Sequence, residues 1–344
     1  MKRHLNSLYV TSQGTYLSKE GATVVVRVGD QPKLRIPIHT LEAIVCFGNV
    51  RFSPFLLGLC GENGVHVSFL TENGRFLARV QGPVSGNVLL RREQYRRGDD
   101  QTASAVLAQS FLTAKIANTR WVLLRWLRGP TNHADAAAVR RVSELLRQQL
   151  DELRRRPSLD VSRGIEGRAA QLYFSVFDHL IIQQREQFSF EGRQRRPPTD
   201  PVNGLLSFVY TLLRRDCESA LEGVGLDPAV GFLHRDRPGR ASLALDLMEE
   251  MRPYLADRLT LSLINKRRVR AGGFTKDEAG AVRMDDDTRK LVIRAYQQRK
   301  GETLVHPFLR ERTTVGMVTH LQALLLARHL RGDLDGYPPF VAKG

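Results

Sequence analysis

In the stretch GFLHRDRPGRASLALDLMEEMRP, residues 231–253, His234 precedes an apolar-periodic segment that carries Asp246, Glu249 and Glu250. Ser242, Leu243, Ala244, Leu245, Leu247, Met248 and Met251 suggest a helix, in which residues three apart share a face, so Asp246 and Glu249 point the same way. Helical rotation separates these two by about 60° and places Glu250 about 40° to the other side of Asp246, so all three can crowd one face. Carboxylates that close repel unless a positive charge lies between them. A divalent cation shared by carboxylate oxygens and a neutral imidazole is the usual solution.

A second acidic site strengthens that reading. Glu166 lies in GIEGRAAQLYF, where Gly164 and Gly167 flank a lone acid at the predicted start of an otherwise apolar helix. Glycines near a carboxylate leave no side chain to shield it, which suits the close approach of a metal or phosphate. Glu166, His234 and one or both of Asp246 and Glu249 form an oxygen-plus-imidazole set suited to Mg²⁺ or Mn²⁺ and too hard for a structural zinc.

Three runs carry a family resemblance: GIEGRAAQLYF at 164–174, PVNGLLSFVYTLL at 201–213, and LDPAVGFLHRDRPGRASLALDLMEEMRP at 226–253. In order and spacing they resemble the catalytic subunit of the CRISPR adaptation complex, the Cas endonuclease and integrase that inserts spacers. The resemblance implies that Glu166, His234 and Glu249 are metal ligands, with Asp246 the neighbouring catalytic or supporting acid and Glu250 solvated or structural. It also implies that Arg237, Arg240 and Arg252 lie against DNA, with arginine at 237 and 252 where other members carry lysine. The implied reaction joins the 3′-hydroxyl of a DNA fragment to a phosphodiester of the repeat by transesterification, or cleaves with water. Implied partners are double-stranded DNA, a second copy of the chain, a second Cas adaptation subunit and, in some systems, a Cas exonuclease. Two other readings use parts of the same evidence: a branched-DNA repair nuclease with the same metal site, and a non-catalytic DNA-binding scaffold.

Composition agrees with a polyanion partner. The chain has 344 residues, with 52 basic against 36 acidic side chains and a formal charge of +16. Of the basic residues only nine are lysine, and arginine is the side chain best shaped for bidentate phosphate contact. A GC-rich genome accounts for arginine over lysine but not for the excess of positive charge. The sequence shows no apolar run of membrane-spanning length and no signal-peptide pattern after its basic start, so a cytoplasmic protein is expected. Cys46, Cys60 and Cys217 are spaced as buried apolar residues rather than as a disulfide or zinc set.

The elements that must position these groups fall into two parts, and the fold class expected is α+β. Residues 1–85 read as a small all-β domain with one short helix at 53–60, and the resemblance gives it a dimerisation role. Strands are predicted at 8–11, 22–28, 33–38, 42–47, 65–70 and 75–81, with a hairpin turn at Asn73-Gly74. Residues 86–344 read as a larger all-α catalytic domain, with helices near 88–97, 101–128, 134–155, 166–186, 203–222, 241–260, 287–299 and 311–330. Residues 191–200 and 267–287 read as solvated connectors, the first a candidate DNA contact. Asn203 and Tyr210 read as packing supports, while Tyr173 suits either a phosphate contact or the core. The terminal GYPPFVAKG reads as a frayed tail, with a partner contact as the alternative.

Overall fold

The computed structural model describes residues 7–29, 31–41, 43–72, 76–80, 88–129, 133–194, 197–278 and 280–342. The Asn73-Gly74 turn, the change of periodicity near 82–86, and Arg195 and Arg196 of the first connector lie outside the described residues. The architecture is mixed α+β, with short strands early and a mostly helical remainder, in two compact units of residues 1–86 and 87–344.

The first unit contains β1 (Ser7–Val10), β2 (Tyr16–Glu20), β3 (Thr23–Val28), β4 (Gln31–Pro37), β5 (Ala43–Phe47), β6 (Arg51–Phe52), α1 (Pro54–Glu62), β7 (His66–Leu70) and β8 (Phe76–Val80). They form two four-stranded sheets, β1-β5-β7-β8 and β4-β3-β2-β6. Strands β1, β5 and β7 are parallel, and α1 lies in the crossover between the last two. Ser53 starts α1 by accepting from the Leu56 amide, with Pro54 at the first helical position. Sequence periodicity missed β2 and β6, which are short and pair with each other in parallel. Leu17, Val24, Ile44, Leu56 and Val67 build the core together with Cys46 and Cys60. Burial pushes the Cys60 thiol up to about 11, as befits an inert packing residue.

The second unit contains α2 (Val88–Asp99), α3 (Gln101–Leu127), α4 (His133–Arg154), α5 (Leu159–Ser175), α6 (Pro201–Gly223), α7 (Ser242–Met251), α8 (Arg258–Asn265), β9 (Phe274–Lys276), β10 (Val282–Met284), α9 (Asp286–Gly301), β11 (Thr303–Val305), β12 (Arg312–Thr314) and α10 (Val315–Leu330). It is therefore not all-α. The hairpin β9–β10 falls within the expected connector 267–287, and β11–β12 runs from an unassigned stretch into the helix expected from 311. Three-residue strands carry too little alternation to register as a period. The acidic run at 285–287 is a helix start, with Asp285 capping α9 through the Thr288 amide and Asp286 and Asp287 in its first turn.

Two predicted helices change course. The helix expected over 166–186 begins earlier, capped by Ser158, and stops at Ser175. Beyond it the chain is held by Asn265, whose side-chain oxygen accepts from the amides of Ile182 and Gln183. The helix expected over 241–260 is interrupted by a π-helical turn, Arg252–Asp257, because Pro253 lacks the amide hydrogen of a regular ladder. Residues 191–194 are not a free connector either, since Arg193 donates to Asn203 and Ser207 on α6.

The helix α7 packs against α3, α6 and α10. The tail packs there too, contrary to the frayed end expected. Phe340 and Tyr337 are buried, and Glu250 accepts from the Tyr337 hydroxyl at 2.5 Å and the Phe340 amide at 2.7 Å. Asn118 of α3 donates to the carbonyls of Glu250 and Phe340 and accepts from the Ala342 amide. With its carboxyl so enclosed, burial raises the Glu250 pKa to about 7 despite these bonds. Phe340→Ala should therefore destabilise the chain by about 3–5 kcal/mol, measured as a lowered denaturation midpoint in urea.

Candidate active site

The four predicted acids and the histidine sit on three neighbouring pieces of backbone. Glu166 lies in the middle of α5, Asp246, Glu249 and Glu250 on α7, and His234 in the loop before α7. The three acids of α7 fall within the arc of the helix expected for residues three and four apart. Each meets a different partner, and the segment is buried so thoroughly that all three are enclosed.

Asp246 turns back to the loop. Its Oδ2 accepts from the amides of Phe232 at 2.6 Å and Leu233 at 3.0 Å, and its Oδ1 from the His234 amide at 3.0 Å. The same Oδ1 is 2.6 Å from His234 Nδ1. A carboxylate can only accept, so Nδ1 carries the proton, and in the neutral ring Nε2 has the lone pair a ligand would need. Gly231 allows this wrap, because a Cβ there would meet Asp246 Oδ2 at 2.9 Å and the Ser242 backbone at 2.8 Å. From α5, Arg163 donates to the Leu233 carbonyl at 2.8 Å, tying the helix of Glu166 to the loop of His234.

Glu249 is held between two cations. Arg252 Nη1 donates to its Oε1 at 2.6 Å, and Lys115 Nζ of α3 lies 2.8 Å from its Oε2. Lys115 also pairs with Glu166. Burial opposes ionisation of Glu249, but Arg252 and Lys115 outweigh it and hold the carboxyl well below the usual range. Arg252, expected against DNA, turns inward over the Tyr210 ring, 4.3 Å from its centroid. Tyr210 in turn donates to Asp257 at 2.6 Å. Burial raises the Asp257 pKa to about 6, opposed by Tyr210 and Arg252. Tyr173 is buried against Phe174 and Phe177, and with Lys115, Tyr210, Arg252 and Asp257 it lines a cavity of about 20 Å³, room for one water.

Arg237 is exposed and Arg240 half-buried in the turn after His234, where the Arg240 amide donates to the Arg237 carbonyl and Gly239 takes φ +73°. Neither belongs to the Lys115–Glu166–Glu249–Arg252 chain. Sequence reasoning passed over Lys115, Arg163 and Asp257. For Lys115 a signal existed: a lysine on the apolar stripe of α3, in a chain that otherwise favours arginine.

Among the described residues no three His, Cys, Asp or Glu side chains close on one point as a metal cage. Lys115 stands between the two glutamates instead. The donor set nonetheless fits a hard divalent cation. Glu249 Oε2 is buried, and the Lys115 ammonium at 2.8 Å is the charge set against it. Glu166, Glu249 and His234 Nε2 are the groups that would hold such a cation.

The family model described as CRISPR associated protein Cas1 matches residues 8–298. A Chlorobaculum tepidum protein described as CRISPR-associated endonuclease Cas1 1 is 55% identical over 341 residues, 99% of each chain. A Geobacter sulfurreducens Cas4 exonuclease/Cas1 endonuclease fusion is 36% identical over 98% of this chain and 60% of its own length. Among solved structures, a Cas1 protein from Thermotoga maritima, TM1797, superposes with a TM-score of 0.82 at 24% identity over 98% of this chain and 100% of its own. A Cas6-RT-Cas1–Cas2 complex gives 0.82 at 22% over 98% of this chain and 36% of that one. At these identities the structures show a shared fold.

Lys115→Met should leave Glu166 and Glu249 facing each other across an uncompensated gap. Breaking a buried pair costs about 3 kcal/mol or more, so in chelator the melting temperature should fall on the order of 10 °C. Mn²⁺ should raise the variant's melting temperature more than the wild type's. Equal melting temperatures in chelator would exclude the bridging role.

Proposed function

The chain belongs to the Cas1 family of CRISPR-associated endonucleases, and on that premise we propose that it is a metal-dependent DNA endonuclease and integrase of CRISPR adaptation. The observation that carries the reading is the Glu249 carboxylate, kept ionised in a buried position beside Glu166 and His234. A buried charge of this kind is costly to maintain and finds its use where an acid must act as a permanent anionic ligand.

Glu166, His234 and Glu249 would hold Mg²⁺ or Mn²⁺, which supplies positive charge against the crowded phosphorane and the leaving oxygen. Asp246 fixes the imidazole so that Nε2 faces outward with its lone pair. Arg252 keeps Glu249 ionised and oriented, and Arg163 sets the loop against α5. The ammonium of Lys115 holds the space between the glutamates that such a cation would take.

In the proposed reaction the attacking oxygen is the DNA 3′-hydroxyl in joining and water in cleavage. The net charge of +16 supports duplex DNA as substrate. Arg237, exposed in the loop of His234, and Arg240 beside it are the proposed phosphate contacts nearest the ligands. A fixed separation of two DNA ends requires two active sites, hence a homodimer. The Cas1–Cas2 complex with the same fold and the fused Cas4 relative support a second Cas adaptation subunit and a Cas exonuclease as partners. No helix among the described residues is long and apolar enough to cross a membrane.

Glu166→Ala and His234→Ala should each lower cleavage and joining by more than about a hundredfold and leave duplex binding intact, and EDTA should do the same. Asp246→Asn should weaken Mn²⁺ binding by about 10–100-fold, read by calorimetry. Robust joining by His234→Ala, or in EDTA, would refute the site. Insertion at the border of a repeat in the presence of the partner subunit distinguishes an integrase from a repair nuclease.

A further inference from the structure

Away from Lys115, three guanidinium groups converge on two aromatic rings. Trp121 of α3 and Tyr254 of the π-helical turn lie 5.4 Å apart between centroids, tilted by 40°, and Phe340 of the tail backs Tyr254 at 5.3 Å. Arg125 lies over the Trp121 ring at 5.6 Å, and Arg299 of α9 over Tyr254 at 5.2 Å. Arg258, at the start of α8, lies over both, 4.8 Å from Trp121 and 5.4 Å from Tyr254.

One carboxylate answers these three charges. Glu302 pairs with Arg299 through Nη1, while Arg299 Nη2 is buried without a hydrogen-bond partner. Among the described residues no carboxylate lies within ion-pair distance of Arg125 or Arg258. Burial, then the neighbouring charges of Arg299 and Arg125, lowers the Arg258 pKa to about 10, against smaller opposing effects of Tyr254 and Glu302. The aromatic faces attract each cation, but they do not remove the repulsion among the three. An anion placed between the forks does both.

We propose that Arg125, Arg258 and Arg299, set on Trp121 and Tyr254, form a phosphate-binding site that takes a phosphodiester of the DNA away from the scissile bond. Trp121 is six residues beyond Lys115 on the same helix, about 9 Å along its axis and about 120° around it, so the phosphate held here is not the reacting one. Planar forks stacked on rings are pre-organised for bidentate contact with two oxygens of a tetrahedral anion. The owner of the phosphate rests on the DNA-acting reading above. The anion site itself rests on the arginines alone.

The test is duplex binding by fluorescence anisotropy across a salt series, with wild type, Arg125→Ala and the double variant Arg125→Ala/Arg258→Ala. Each phosphate contact contributes about 0.9 to the slope of log affinity against log salt, so the double variant should lose about one unit of slope. At moderate salt its affinity should fall about tenfold. Arg125 is exposed, so its single variant stays folded and should show part of the loss. A slope identical to wild type in both variants overturns the proposal, as does a lowered melting temperature with an unchanged slope, which is the signature of a purely structural cluster. In a parallel arm, a stabilising shift by inorganic phosphate that vanishes in the double variant, with the duplex slope unchanged, makes the occupant a free phosphate and overturns the DNA assignment. If wild type neither cleaves nor joins DNA but the slope difference persists, the catalytic reading falls and the anion site stands.

Discussion

An ionised carboxylate buried inside a helical bundle is the constraint around which the second unit is arranged. Glu249 keeps its charge only because Lys115 from α3 and Arg252 from the π-helical turn reach it from opposite sides. Each of those cations is itself secured, Lys115 by Glu166 and Arg252 by the Tyr210 ring with Asp257 beyond. Charges thus alternate from α5 through α3 and α7 to α6, and no helix in that series can slip by a turn without stranding a charge in a low-dielectric interior. The same requirement explains why the irregular turn at Arg252–Asp257 persists: it brings both Arg252 and Asp257 to Tyr210.

The three acids of α7 show how a short helix can serve three ends. Asp246 organises the loop of His234, Glu249 faces α3 and α5, and Glu250 fastens the tail. Their different partners follow from burial on every side of the helix, where a period-based reading assumes a wet face and a dry one.

Much of the site was legible because the informative residues break the local pattern. Glycines beside Glu166, a histidine ahead of an apolar run and acids inside that run are each anomalous for a simple amphipathic helix, and the run order carried the family. What sequence did not reveal depends on long-range contact. Lys115 is fifty-one positions from Glu166 and reads as one cation among many until the fold brings the two together. Asn118 and Gln322 look like ordinary polar residues, yet they are buried and satisfy the tail. The strand hairpins β9–β10 and β11–β12 were hidden by brevity, and the stop in the predicted 166–186 helix by Asn265, a partner far along the chain. In the first unit six of the eight strands fell where short Val, Ile and Leu clusters lie between turns, but the parallel pairing of β1, β5 and β7 is a matter of topology that no local pattern encodes.

The docking of the tail on Glu250 orders events in time during synthesis. Ninety positions separate Glu250 from Phe340, and at usual elongation rates that interval lasts on the order of ten seconds. Until Tyr337 and Phe340 have been added, the Glu250 carboxyl lacks its tyrosine and amide donors, so the setting of the helix that presents Glu249 is complete only after translation has passed Phe340. The helix that carries Glu249 is thereby tied to a segment ninety positions downstream of it.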